Sequence, residues 1–407
     1  MRKFNLLLSL TFLLSVLTAK AQDSTSTGPG QLTISGYLDT YYNWAFNKPK
    51  SGSLLGYTGA GRAFDRTTNT VAIGLLQTKL TYTTNKIEIV ADLAFGPNAE
   101  LGNFGNVNAQ AYTTGSANLY TNPAFSNIYG SSACIKQAYG TFKATDKLSF
   151  TVGQFGTHIG YEVIDAPVNY NYSLSNLFNN GPFYHVGAKA DYAFSDKFGV
   201  MLGLVNNWDN LFDNNKQKSG VAQVFVSPIE NLSVYVNWIG GYNDDTALDT
   251  IGGVAPWSVN YNRHLFDLTV GYQVTDKFYI GLNSAYGFYS AADNNTKEAF
   301  KALSAPYGED KSTLNWGGIA GYAHYDFTDF ISLGVRYEHF KDKYGVRYLM
   351  STNNSLTITA PITLAQGALV VKPEFRMDTS PSKIYEDKNG DAVNSQTTFG
   401  LAAIFKF

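Results

Sequence analysis

Apolar and polar residues alternate with period two along most of this chain. From Ile87 to Phe95 the odd positions read Ile87, Ile89, Ala91, Leu93 and Phe95, with Glu88 and Asp92 between them. Phe198, Val200, Leu202 and Leu204 repeat the pattern, as do Leu369, Val371, Phe375 and Met377, which are interleaved with Lys372, Glu374, Arg376 and Asp378. Successive side chains of a strand point to opposite faces, so this period predicts strands with one apolar face. Sixteen such stretches can be drawn, near 31–46, 70–82, 87–95, 134–143, 148–160, 185–194, 198–206, 219–227, 232–242, 263–274, 278–289, 314–327, 330–341, 355–362, 369–379 and 395–407.

A turn phrase recurs between them. It reads Thr145-Asp-Lys-Leu-Ser-Phe150, Ser195-Asp-Lys-Phe-Gly-Val200 and Thr275-Asp-Lys-Phe-Tyr-Ile280, with looser copies at Ile229 and Thr328. Asp and Asn nucleate tight turns by hydrogen bonding nearby backbone, so each phrase marks a hairpin bend. Long connections near 47–69, 96–133, 161–184, 207–218, 243–262, 290–313, 342–354 and 380–394 alternate with these bends. A soluble sandwich has no reason to sort its loops by length. An outer-membrane barrel does, with short periplasmic turns, long extracellular loops and an even strand number. The predicted fold is therefore all-β, a transmembrane antiparallel up-and-down β-barrel of about sixteen strands, residues 31–407.

Both ends fit this class. Arg2 and Lys3 precede the apolar run Leu6–Leu17, and Ala19-Lys20-Ala21 has the form of a signal-peptidase site. Residues 1–21 thus read as a cleaved signal peptide, and 22–30 as a short periplasmic linker. The apolar run is too short for the ~20 residues of a spanning helix. The final strand ends on Phe399, Leu401, Ala403, Phe405 and Phe407, and the terminal Phe407 resembles the signal read by the barrel-assembly machinery. The expected location is the bacterial outer membrane.

Composition narrows the function. The chain is acidic, with 30 Lys and Arg against 32 Asp and Glu, and loss of Arg2, Lys3 and Lys20 makes it more so. That argues against a basic-groove nucleic-acid binder. The 28 Tyr and 27 Phe suit a barrel that sets aromatic residues at two membrane interfaces. The single Cys134 cannot form an internal disulfide.

Residues 137–218 carry the most distinctive text: Gln137-Ala-Tyr139, Val152-Gly-Gln-Phe155, His158-Ile-Gly-Tyr-Glu162, Asn169-Tyr-Asn-Tyr-Ser173, Leu177-Phe178, Pro182-Phe-Tyr-His185 and Leu204-Val-Asn-Asn-Trp-Asp209. This text resembles the OmpL-like β-barrel porin family of Gram-negative, Bacteroidota-type outer membranes. The resemblance is tight over 130–220 and looser elsewhere. It implies a porin and says little of the solute. It also implies an arginine next to the Asn-Tyr-Ser segment, where this chain has Leu174, so an arginine-lined, anion-favouring constriction does not carry over.

The functional expectation is a water-filled channel for passive diffusion of small hydrophilic solutes. Its inward wall candidates are Asp39, Glu88, Asp92, Lys189, Asp191, Asp267, Arg336, Glu338, Lys372, Glu374, Arg376 and Asp378. A charge facing lipid near the bilayer midplane costs ~2–4 kcal/mol, so the four inward charges of 369–379 imply a wet lumen. The acidic excess predicts weak cation preference. The long connection 161–184 is third in order. Its candidate constriction residues are Glu162, Asp165, Asn169, Tyr170, Asn171, Tyr172, Leu174, Leu177 and Phe178. The last three have helical spacing that would pin a short turn to the inner wall, leaving the two acids facing the opening. The rival expectation is an adhesin or assembly partner acting through its loops.

Catalytic and metal chemistry is not legible. The five His show no close metal-ligand spacing, although His324 and His339 flank one hairpin. Asp387-Lys-Asn-Gly-Asp391 lacks the final glutamate of a Ca²⁺ loop. No enzyme activity, cofactor or nucleic acid is expected. Expected partners are membrane lipid, the assembly machinery and small solutes. A homotrimer and a monomer are both compatible with the small-residue outer positions at Ala402, Ala403 and Gly317–Gly321.

Overall fold

The computed structural model describes residues 30–103, 132–245 and 259–407, apart from 60, 212, 214–216 and 348. The signal peptide, nearly all of the linker, and much of the 96–133 and 243–262 connections lie outside the described residues.

The chain forms a closed antiparallel barrel of sixteen strands. These are β1 (Gln31–Ala45), β2 (Val71–Thr83), β3 (Ile87–Phe95), β4 (Ile135–Lys143), β5 (Leu148–Gly156), β6 (Tyr184–Ser195), β7 (Phe198–Val205), β8 (Ser219–Val226), β9 (Leu232–Asp245), β10 (Val259–Gln273), β11 (Phe278–Ala291), β12 (Thr313–Asp326), β13 (Ser332–Asp342), β14 (Ser351–Thr359, resuming at Ile362–Leu364), β15 (Leu369–Thr379) and β16 (Ser395–Lys406). Each strand pairs with its neighbours in sequence, and β1 closes the sheet on β16 from Tyr37 opposite Lys406 to Ala45 opposite Thr398. Gly36 and Phe407 exchange backbone hydrogen bonds of 3.1 Å beyond that ladder. Closure removes the exposed edges that a spanning sheet cannot leave in lipid.

The turns behave as their residues dictate. Thr145 and Thr275 accept hydrogen bonds at their side-chain oxygens from Leu148 and Phe278 backbone N–H at 3.0 and 3.1 Å. Thr328 does the same for Ile331 at 3.0 Å. Pro361 and Pro373 explain the interruption of β14. Thr359 faces Glu374 and Ile362 faces Val371, so the register continues unchanged through two residues that lack ladder donors.

The faces divide as the alternation requires. Leu32, Ile34, Ile89, Leu202, Leu204, Phe375, Phe399 and Phe405 are exposed on the outer wall, whereas Asp39, Asp92, Asp267, Glu338 and Arg376 are buried on the inner one. Three differences from the sequence reading matter. β5 stops at Gly156 rather than near 160, because Thr157 to Gly160 leave the wall for the interior. β9 and β10 extend further toward the loop rim than their alternation suggested. The connection after β11 contains a helix, Asn294–Ser304, which Asp293 caps by accepting from the Thr296 N–H at 2.7 Å.

The interior holds a packed core. Phe155, Ile159, Leu177, Val221, Ile239, Leu265, Leu314, Trp316 and Phe340 form one buried apolar cluster. Tyr37, Leu75, Ala166 and Ile404 belong to a second, and Ala63, Phe64 and Leu174 to a third. Residues of the third connection take part in all three clusters and residues of the first take part in the last, so both connections fold inward.

Candidate functional site

The third connection, Thr157 to Phe183, crosses the barrel interior. Its backbone is held by charged wall residues that match its polarity. Carboxylates take its N–H groups. Glu374 on β15 accepts from Tyr172 N–H at 2.7 Å and Ser173 N–H at 3.1 Å. Glu338 on β13 accepts from Asn176 N–H at 2.8 Å and Leu177 N–H at 2.7 Å. Asp267 on β10 accepts from Gly160 N–H at 3.0 Å. Cations take its carbonyls. Arg336 donates to Ser173 O and Arg376 to Leu174 O, both at 2.7 Å. Lys372 donates to Ala166 O at 2.7 Å and also to Asn169 O. Such charge-assisted bonds are roughly twice as strong as neutral ones.

Side chains of the connection complete the docking. Tyr172 donates its hydroxyl to Asp39 on β1 at 2.7 Å, and Asn171 donates to Thr359 on β14 at 2.7 Å. Glu162 pairs with Arg336 and accepts from Ser175 N–H at 2.8 Å. Asp165 pairs with Lys136, which also lies 3.5 Å from Asp92. Asn169 braces the connection internally, donating to Val163 O at 2.7 Å. Tyr170 stacks on His324 with centroids 4.0 Å apart, and Tyr161 stacks on Tyr322 at 4.1 Å.

The helical spacing of Leu174, Leu177 and Phe178 corresponds to a four-residue helix, Asn176–Asn179, whose N-cap Ser175 accepts from Phe178 N–H at 3.0 Å. Only Leu177 packs into the main wall cluster. Leu174 and Phe178 meet Ala63 and Phe64 of the first connection instead. That connection is anchored by Arg62, which is fully buried and reaches Asp65 at 2.9 Å, Asp378 at 3.5 Å and the Thr398 hydroxyl at 2.8 Å.

Two expectations need correction. The charges of β15 were expected to line open water. Lys372, Glu374, Arg376 and Asp378 do face inward, but all four are buried, because the first and third connections lie over them. The acids of the connection were expected to face the opening together. Glu162 instead is sealed against Arg336, with side-chain exposures of 3% and 0%, while Asp165 keeps 25%. Among the wall candidates, Glu88 and Lys189 are half-buried, and Asp191, 3.2 Å from Lys189, is buried. Asp39, Asp92, Asp267, Arg336 and Glu338 are buried. The two hairpin histidines do not meet. His324 faces inward beside Asp326 at 2.9 Å, while His339 bonds Asn354 on the exposed side. Phe407 has its side chain exposed.

Sequence reasoning missed Lys136 and Arg62. Lys136 sits where the β3–β4 register shifts after Asp92, which turns it inward against the simple alternation. Arg62 lies in a loop, and no periodicity marks it. Burial shifts the groups of these connections. It pushes the His158 imidazole down to about 4, the Asp209 carboxyl up to about 6 despite N–H donors from Phe183 and Tyr184, and Asp65 upward despite Arg62.

Residues 31–407 match the family model described as "Putative beta-barrel porin-2, OmpL-like". The chain belongs to this family of outer-membrane barrels. The family places it in the outer membrane as a channel protein. No curated protein matches it. Solved structures share its fold at low identity. The trimer form of OmpT of Vibrio cholerae is 14% identical, covers 93% of this chain and 100% of its own, and has a TM-score of 0.56. The outer-membrane channel DcaP of Acinetobacter baumannii is 11% identical, with 94% and 99% covered and a TM-score of 0.55. The anion-selective porin from Comamonas acidovorans is 10% identical, with 93% and 100% covered and a TM-score of 0.55.

Proposed function

We propose that this family member is a channel for passive diffusion of small hydrophilic solutes, in which the inward-folded third connection sets the bore. The observation that carries this reading is the charge matching between that connection and the wall. A surface loop has no need of carboxylates and cations aimed from β10, β13 and β15 at its backbone. A loop that must stay at one place inside a barrel does.

In this reading the wall charges act in two ways. Arg336, Glu338, Lys372, Glu374 and Arg376 hold the connection, with Asp39, Asp92 and Asp267 supporting it and Asp378 fixing Arg376. Glu88 and Lys189, the latter paired with the buried Asp191, face the solute together with Asp165. The surplus of acids gives a weak preference for cations. Residues 1–21 are removed on export, and 22–30 form a periplasmic linker. The exposed Phe407 serves the barrel-assembly machinery, and the apolar outer wall meets lipid. The trimer form of the Vibrio OmpT barrel makes a homotrimer a reasonable state for this chain too.

Liposome swelling tests the reading directly. Vesicles carrying the purified barrel should swell at rates that fall with solute size across a series of uncharged sugars. Absence of swelling for every solute, with the barrel folded, would rule out diffusion and favour a surface-interaction role.

A further inference from the structure

Two tyrosines of the third connection lie in wall recesses of the same construction. Tyr322 and His324 are successive inward residues of β12. Tyr322 faces Gly281 of β11 across the ladder, and His324 faces Gly334 of β13. Tyr161 stacks on Tyr322 with centroids 4.1 Å apart and an interplanar angle of 20°. Its ring covers Gly281, where a Cβ would come within 2.5 Å of the Tyr161 hydroxyl and 2.7 Å of its ring. Tyr170 stacks on His324 at 4.0 Å and 15°. A Cβ on Gly334 would lie 3.0 Å from the Tyr170 Cβ and 3.6 Å from its carbonyl carbon. Each recess is thus a glycine beside an aromatic ring on the next strand, filled by a loop tyrosine.

A glycine next to an aromatic residue in a sheet has a simpler use, in which the cross-strand ring covers the bare backbone. Gly287 shows that arrangement, since the Trp316 ring opposite it is what a Cβ would meet first. At Gly281 and Gly334 the cross-strand ring stands aside, and a residue from the distant connection takes the space. The two recesses are linked, because the Tyr161 hydroxyl donates to the Tyr279 hydroxyl at 3.0 Å, and the Tyr279 ring lies 5.6 Å from that of Tyr170.

We propose that Gly281–Tyr322 and Gly334–His324 are the seats that position the third connection, so that these glycines, which carry no side chain, help to set the bore. This rests on the channel reading above. The charged contacts hold the backbone in place, and the stacked tyrosines fix how far it stands from β11, β12 and β13.

Cross-linking tests the seat without reference to conduction. In a Cys134→Ser background, Tyr170→Cys with Gly334→Cys should oxidise to a disulfide in isolated outer membranes, since the two Cβ positions are 3.0 Å apart and need only a slight parting to reach the roughly 3.5–4.5 Å that a disulfide spans. Tyr170→Cys with Gly140→Cys, on the open outer wall, should not. Failure of the first pair to cross-link overturns the proposal. Conductance then tests positioning. Gly281→Val should raise single-channel conductance severalfold in the otherwise native chain, and should add little in a Tyr161→Ala background. An equal factor in both backgrounds, or no rise from Gly281→Val, overturns the positioning role. Tyr161→Ala and Tyr170→Ala leave the wall intact and should raise conductance in the same direction, so a folding failure of the valine variant leaves a decisive measurement. Because the cross-link is read without conduction, a missing seat is distinguishable from a failed channel reading.

Discussion

Glu162 and Arg336 form an ion pair inside the barrel that water does not reach from either side. One partner belongs to the third connection and the other to β13, 174 residues later in the chain. Breaking a buried pair by removing one partner typically costs about 3–5 kcal/mol, because the remaining charge is stranded. The barrel ladder does not depend on this pair, so the cost falls on the docking of the connection. Arg336→Met should therefore free the connection while the barrel stays folded, seen as faster proteolytic cleavage within 161–180 and unchanged heat-modifiability. Arg336→Met with Glu162→Leu should be milder than Arg336→Met alone. Equal cleavage of both variants would show that the stranded carboxylate is not the cause.

Glu338 makes an independent anchor. It accepts from two consecutive backbone N–H groups and from the Asn176 side chain at 2.6 Å. Hydrogen bonds to a charged group contribute about 1.5–3 kcal/mol each. Glu338→Gln keeps an acceptor but loses the charge, so it should loosen the helix at 176–179 less than Glu338→Ala. Amide exchange at Asn176 and Leu177 checks the order, with the wild type slowest and Glu338→Ala fastest.

Selectivity separates the two acids of the connection. Asp165 retains exposure beside Lys136, whereas Glu162 is sealed. Asp165→Asn should shift the reversal potential in a salt gradient away from cations, by an amount that shrinks at high salt as screening shortens the field. Glu162→Gln should act mainly on conductance through the position of the connection. A larger selectivity shift from Glu162→Gln would place that carboxylate in the ion path after all.

Acid should weaken the docking through His158. Its buried imidazole is held down to about 4, against about 6.5 when solvated. Between these values the released connection takes up a proton that the docked one refuses, so the contribution of His158 is complete above about 6.5 and is lost as pH falls toward 4. Asp209 runs the other way. It lies in the connection after β7 and accepts from the Phe183 N–H at the end of the third. Its buried carboxyl sits near 6 against about 3.9 when solvated. Burying its charge therefore opposes this contact fully above about 6, and the opposition fades as pH falls from about 6 toward 4. His158→Gln should flatten the acid limb of a cleavage-versus-pH curve for 161–180, whereas Asp209→Asn should raise stability at neutral pH relative to pH 5. An unchanged acid limb in His158→Gln would assign the effect elsewhere.

The strands were legible because a barrel strand repeats one simple rule, outward apolar and inward polar, and the Thr-Asp-Lys phrases mark its bends. Even Pro373 left the register intact, because the matching gap at Pro361 puts two donor-free residues at the same place in the ladder. Period two names the face of a residue but not what covers it. Lys372, Glu374 and Arg376 point inward, yet the carbonyls and N–H groups that cover them come from residues some 200 positions earlier. Lys136 was hidden by a bulge, and Arg62 by a loop without period. Leu174 and Phe178 carried a helical spacing that was real, but their partner Phe64 lies in another irregular connection that no pattern ties to them.

The central claim is that the third connection sets the bore, and deletion of residues 166–180 tests it most directly. Single-channel conductance of the purified deletion variant in planar bilayers should rise severalfold over the intact barrel, with heat-modifiability unchanged. Conductance equal to that of the intact barrel would contradict the account and move the narrowing to another segment, with residues 96–133 the next to test.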